Sequence, residues 1–175
     1  SAQTTDARVN LVTPELFRRW PDAAALDAAP VEEVEEVIKS TGFFRNKAKS
    51  LKGLARRLVT EHGGEVPSTM EALVVLPGIG RKTANVVLGN AFGRNEGIVV
   101  DTHVARLSAR FGLTRETDPV RIERALMPLF ERDSWAQLSH LMIWHGRRAC
   151  KARNSSCDAN SICREFCSNS GAKSR

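Results

Sequence analysis

A chain of 175 residues in which 42% of the side chains are hydrophobic can build a folded core, which excludes a disordered segment; the length suits one domain or two small lobes. The apolar runs LVVLPGIG and ANVVLGNAFG are broken by glycine well before the roughly 18 residues that a membrane span needs. With no signal peptide either, the expectation is a soluble cytoplasmic protein, nucleoid-associated if bacterial, with no membrane partner.

In chain order the sequence is dominated by helix punctuation. Thr13-Pro14 reads as a cap followed by proline in the first turn, opening a helix through Trp20. Pro30 opens another, in which Val31, Val34, Val37 and Ile38 share an apolar face until Gly42. Phe43 to His62 is predicted as a longer amphipathic helix with Ala48, Leu51, Leu54, Ala55 and Leu58 inward and its basic residues outward, ended by Gly63-Gly64. Ser68-Thr69-Met70-Glu71 is a capping box for a short helix to Val75. The glycine turn Leu76-Pro77-Gly78-Ile79-Gly80 leads into a helix from Arg81 to about Phe92. Ile98-Val99-Val100 is the only extended stretch, and Asp101 or Thr102 caps a helix through Phe111. Asp118-Pro119 starts another that Pro128 interrupts. Ser134 to Arg147 forms the last, with Trp135, Leu138, Leu141, Met142 and His145 spaced along it. Beyond Arg147 the composition turns to Cys, Ser, Asn and Arg with little helical period. The expected fold is all-α with a cysteine-pinned tail.

The formal charge is +6, from 26 Lys and Arg against 20 Asp and Glu, and it is unevenly placed. Residues 21–38 carry six acids and no Lys or Arg, residues 43–60 carry six bases and no acid, and residues 147–175 carry seven bases against Asp158 and Glu165. One charge run is ordinarily a solvated helix face; two basic runs in so basic a chain favour a polyanion, nucleic acid being the commonest.

Two kinds of local chemistry stand out. In the segment 68–92, Gly78 and Gly80 let the backbone turn tightly and point unpaired N–H groups outward beside the N-terminus of the helix that begins at Arg81, a site for a phosphate rather than for a base. The plain alternative is an ordinary helix–helix turn. Lys82 lies in the first turn of that helix beside Arg81, where the positive end of the macrodipole disfavours a cation; this suits a nucleophilic amine, although a simple phosphate contact would use the same residue. Asp101 follows the apolar anchor Ile98-Val99-Val100, and is either a helix cap or a carboxylate that assists Lys82 and balances positive charge developing on a sugar. The second kind of chemistry is thiol: Cys150, Cys157, Cys163 and Cys167 crowd the last 26 residues. Two disulfides, a structural zinc site and a [4Fe–4S] cluster all use four cysteines; intracellular thiols argue against disulfides, and residue chemistry leaves zinc and cluster even.

The block LPGIGRKTANVVLGNAFG followed by VVDTHVARLSARFGL closely resembles the endonuclease III family of DNA glycosylases, in the helix-hairpin-helix superfamily. SAQTTD, GFFRNKA, EVPSTMEAL and HGRRAC resemble the same family at matching places, so the similarity spans nearly the whole chain. The resemblance implies a two-lobed all-α enzyme: a helical barrel over residues 1–95 carrying the hairpin at 68–92, and a second lobe over 96–175 with the four-cysteine loop at 150–167. It implies a base-excision-repair glycosylase and abasic-site β-lyase removing oxidised pyrimidines from double-stranded DNA, acting as a monomer, with Lys82 as Schiff-base nucleophile and Asp101 as catalytic aspartate. A monofunctional glycosylase, or a non-catalytic hairpin module, would need no such pair. Gly78, Gly80, Arg81, His103, Arg147 and Arg148 are then DNA contacts. Gln3 matches a glutamine that fills the gap left by a flipped nucleotide, and Phe43 stands where the family usually carries a leucine wedge. The cysteines are implied to hold a structural [4Fe–4S] cluster. Here, however, the family pattern C-x6-C-x2-C-x5-C is replaced by C-x6-C-x5-C-x3-C, with Asn160 at the third cysteine's place. The family also carries a further helix ahead of SAQTTD.

Overall fold

The computed structural model describes residues 3–153 and 157–168, which form two compact units, Ser1–Gly80 and Arg81–Arg175. All regular structure among the described residues is helical, as the cap and period signals predict.

The first unit is built from α1 (Asp6–Arg19), α2 (Ala23–Ala28), α3 (Val31–Ile38), α4 (Phe44–His62) and α5 (Met70–Val74). Its core is Leu16, Trp20, Ala29, Val34, Ile38 and Ala48, with Leu26, Val37 and Leu51 packed against it. Helix α1 does not start at Thr13. The Thr5 hydroxyl accepts from the Arg8 amide, and the helix runs straight through Pro14. Proline forfeits one intrahelical bond there, and the helix is held on either side by the Thr5 cap and by Glu15 pairing with Arg18 and Arg19 at 2.8 and 2.6 Å. Helix α2, inside the acidic run, is capped by Asp22 accepting from the Ala25 amide at 2.7 Å. The carbonyls at its other end, Leu26, Asp27 and Ala29, accept from the Lys52 ammonium, so one member of the first basic run is a C-cap and not an outward charge. Thr69, rather than Ser68, caps α5.

The second unit holds α6 (Arg81–Ala91), α7 (Thr102–Arg110), α8 (Pro119–Leu126), α9 (Trp135–Arg148) and α10 (Ser161–Phe166). Asp101 caps α7 and Asp118 caps α8 with Pro119 in its first turn. Pro128 turns the end of α8 into a short 3-10 segment, Met127–Leu129. Ile98, Val99 and Val100 are buried, but they pair with no strand; the Val99 amide donates to Ser139 Oγ at 2.9 Å, anchoring the segment to α9. The core joins Ile98, Val100, Val104, Leu107, Ile122, Leu126, Trp135 and Met142 to all four cysteines, so the tail is part of the core rather than an appendage. Helix α10 lies in the segment for which the sequence shows little helical period.

Candidate active site and cysteine centre

In the glycine turn the Ile79 amide donates to the Leu76 carbonyl at 3.1 Å, with Leu76 buried below it. Gly78 sits at φ +78°, a conformation that favours glycine, and a Cβ there would also press on Ser50 Cβ at 3.1 Å. Gly80 is exposed, with no atom within 4 Å of the place a Cβ would take, which leaves its backbone open to close approach. The amides of Gly78 and Gly80 donate to no acceptor among the described residues.

Lys82 projects from the first turn of α6 and is exposed. Among the described residues its ammonium makes no hydrogen bond or ion pair. Its neighbour Arg81 is committed: its guanidinium forks onto Glu123 through Nε (2.7 Å) and Nη2 (3.0 Å), and the Asn85 amide donates to the same carboxylate at 2.9 Å. Glu123 is only 3% exposed, and this bidentate bond is the main cause of the upward shift of the Arg81 pKa. Gly97 is the floor of the arrangement; a Cβ there would lie 1.8 Å from Glu123 Oε1. The network fixes the first turn of α6 and hence the root of Lys82. Arg81, expected as a DNA contact, is held here by Glu123, whose only sequence signal is an acid beside the buried Ile122 on the face that ends in Leu126.

Asp101 Oδ1 accepts from the amides of His103 and Val104, both at 2.8 Å. It is therefore a helix cap, while Oδ2 has no protein partner among the described residues. Cap and catalytic carboxylate are compatible because different oxygens serve them. Beside the root of Lys82 a small pocket of about 30 Å³ is lined by Arg81, Lys82, Asn85, Ile98, Val100 and Glu123. His103 is half-buried with Nδ1 3.2 Å from Arg106, which itself holds the carbonyls of Gly146 and Cys150 at 2.9 Å. Arg147 and Arg148 are exposed in the last turn of α9, with Arg148 stacked 4.6 Å above the exposed Trp144 ring.

Gln3 and Phe43 share a property invisible in their residue types. Among the described residues they alone, apart from glycines, adopt positive φ, at 53° and 48°. Phe43 is also 64% exposed, which rules out a core role at the Gly42 turn. A bulky side chain held left-handed and facing solvent carries strain without burial in return.

The four cysteines are buried, none is in a disulfide, and their sulfurs all lie within 4.8 Å of one another, positioned to bind a metal centre. Cys150, Cys157 and Cys167 stand 3.8–3.9 Å apart pairwise. Arg110 Nη1 donates to Cys150 Sγ at 3.1 Å, and His145 Nε2 lies 3.1 Å from Cys163 Sγ. Burial first, and the crowding of Cys150 and Cys157 second, pushes the Cys163 thiol up to about 12.

Residues 1–132 match the model of the HhH-GPD superfamily of base excision DNA repair proteins. The chain is 58% identical to the endonuclease III of a Synechocystis species over 157 residues, 90% of this chain and 72% of the relative. It is 45% identical to the Bacillus subtilis endonuclease III over 169 residues, covering 94% and 77%. Among solved structures, that of a trapped endonuclease III–DNA covalent intermediate superimposes with a TM-score of 0.91 at 41% identity, covering 96% of this chain and 78% of that one.

Proposed function

We infer that this chain, which belongs to the HhH-GPD superfamily of base excision DNA repair proteins and within it to endonuclease III, uses Lys82 as its covalent nucleophile. It is a bifunctional DNA glycosylase and abasic-site lyase, and its partner is double-stranded DNA. The observation that carries the assignment of Lys82 is its position: an unpartnered, exposed amine in the first turn of α6, directly after a glycine turn with open amides, its root fixed by Arg81 and Glu123.

In this reading a damaged pyrimidine is swung out of the duplex, and the open amides of Gly78 and Gly80 donate to a backbone phosphate. The Lys82 amine attacks C1′, forming a C–N bond as the C1′–base bond breaks, and the proton lost from the nitrogen goes to the departing base. Asp101 Oδ2 balances the oxocarbenium-like charge that develops on the sugar. Ring opening gives an imine between Lys82 Nζ and C1′. Loss of a C2′ proton then expels the 3′ phosphate by β-elimination, cutting the strand. Gln3 and Phe43 occupy the space the base leaves, their strained backbones holding exposed side chains outward, and Arg147 and Arg148 bind phosphates. The division into lobes 1–95 and 96–175 belongs to the same reading, as does action in the bacterial cytoplasm, where the substrate is.

The resemblance also implies a structural [4Fe–4S] cluster. Four buried thiols are the donor set such a cluster takes, but their separations are shorter than a cubane imposes.

Borohydride trapping on a duplex with one oxidised pyrimidine tests the assignment. Wild type is expected to give a covalent complex that Lys82→Ala does not. Base release without trapping would make the enzyme monofunctional and sink the nucleophile role.

A further inference from the structure

We propose that the four cysteines of this chain hold one tetrahedral zinc ion in place of an iron–sulfur cubane. The dimensions of the thiol cluster are independent of the assignment of Lys82. An ion bound by four thiolates at about 2.3 Å sets its sulfurs apart by that length times about 1.63, or about 3.8 Å. The three separations among Cys150, Cys157 and Cys167 are 3.9, 3.8 and 3.9 Å, and no pair among the four exceeds 4.8 Å. In a cubane each cysteine binds its own iron at a separate corner, which pushes the ligand sulfurs outward to about 6 Å apart. Four sulfurs within 4.8 Å are close enough to share one ion and too close to span four irons and four sulfides.

The altered spacing explains why the sulfurs close in. On the family's pattern the third and fourth ligands would fall at 160 and 166. Asn160 is instead the cap of α10, its Oδ1 accepting from the Cys163 amide at 3.2 Å, and Phe166 is 49% exposed. The ligands Cys163, inside α10, and Cys167, its C-cap, are four residues apart, and the Cys167 amide donates across that turn to the Cys163 carbonyl at 2.9 Å. Two side chains one turn apart fall on the same face at about 5–6 Å between Cβ atoms, a span that suits two ligands of one ion. The single 3-10 turn Cys157–Ala159, closed by the Asn160 amide on the Cys157 carbonyl at 3.2 Å, returns the chain over a short path with no wide loop between second and third ligands. Four thiolates on a divalent ion leave a charge of −2. Arg110 donates to Cys150 Sγ, and its guanidinium also holds the Lys151 carbonyl, so a fixed cation lies against the centre. Zinc is the natural occupant of a closed, all-thiolate tetrahedron with structural duty.

The test is metal and sulfide analysis of the full chain, expressed with iron and zinc both supplied and purified without oxygen so that a cluster, if formed, survives. The expected result is one zinc per chain, no acid-labile sulfide, no visible absorption, and visible d–d bands of a tetrahedral thiolate site on exchange with cobalt. Four irons and four sulfides per chain with a broad visible band would overturn the proposal, as would a folded protein with no bound metal. A second variant moves the ligands to the family's places: Asn160→Cys and Phe166→Cys with Cys163→Ser and Cys167→Ser. Reconstituted side by side with ferrous iron, sulfide and zinc, it is expected to take up at least tenfold more iron per zinc than the native chain. Equal uptake by the two would refute the link between spacing and metal.

Discussion

Replacing Phe43 by glycine separates strain from packing at one residue. A non-glycine residue in the left-handed region costs about 1–2 kcal/mol, which the substitution releases. Glycine gives back about 0.5–1 kcal/mol through the greater entropy of the unfolded chain. The ring is 64% exposed, so the covered third contributes roughly 0.5–1 of the ~1.5–3 kcal/mol that full burial of a phenylalanine brings. These terms nearly cancel, and urea unfolding of Phe43→Gly is expected to lie within about 1 kcal/mol of wild type, where truncation of a core phenylalanine costs about 3–5 kcal/mol. Function is expected to move far more. Stacking of an aromatic on a base is worth about 1–3 kcal/mol, so single-turnover base release from duplex DNA should slow by roughly 5- to 150-fold. Phe43→Leu, which keeps an apolar wedge but has no ring to stack, should recover only part of that rate. Base release at the wild-type rate by Phe43→Gly, or a stability loss of about 3 kcal/mol or more, would refute the assignment of Phe43 as a strained wedge.

Asp101 can be dissected by two substitutions. Asp101→Asn keeps an amide oxygen for the cap and should leave stability within a few tenths of a kcal/mol while slowing base release at least about 100-fold; Asp101→Ala should add a cap loss of about 1 kcal/mol, and a fully active Asp101→Asn would reduce the residue to a cap. Glu123→Ala strips the partner from Arg81 and Asn85. Loss of one side of a buried pair costs about 3–5 kcal/mol, and with the Arg81 side chain 37% exposed we expect the lower part of that range or somewhat less, read by urea unfolding. Gly97→Ala, which drives a methyl into the same carboxylate, should be comparably damaging. Charge reversal at Arg147 and Arg148 should weaken binding to undamaged duplex and flatten the dependence of log K on log salt by about 0.9 for each phosphate no longer neutralised.

Much of the fold is legible because local signals decide it. Asp118-Pro119 and Asp101 cap the helices they precede, and Ala48, Ala55 and Leu58 line the inward face of α4 at helical spacing. The start of α1 is not legible, because proline in a first turn is only a preference, and a threonine eight residues earlier sets the helix in motion first. The position of Lys52 is hidden for a different reason. In sequence it is one of six bases on an amphipathic helix, and only the arrival of α2 places three open carbonyls within its reach. The strain at Gln3 and Phe43 is a backbone angle, and neither residue type announces one.

The cysteine tail shows most plainly where a pattern argument inverts. Counted by hydrophobicity, Ile162 and Phe166 are the inward residues of α10, and they are each 49% exposed; Cys163 is buried completely. The helix is organised around sulfur, so its period is read correctly only once the thiols are treated as the core they form with Val104, Leu107 and Met142. The same inversion governs the metal. Four cysteines in a family with a known cluster invite carry-over by count, yet a ligand set is defined by the polyhedron its donors make, and two displaced cysteines change that polyhedron while leaving the count alone. Asn160 is where the difference originates. By capping α10 it brings Cys163 and Cys167 together on a single turn, with all four sulfurs within 4.8 Å of one another.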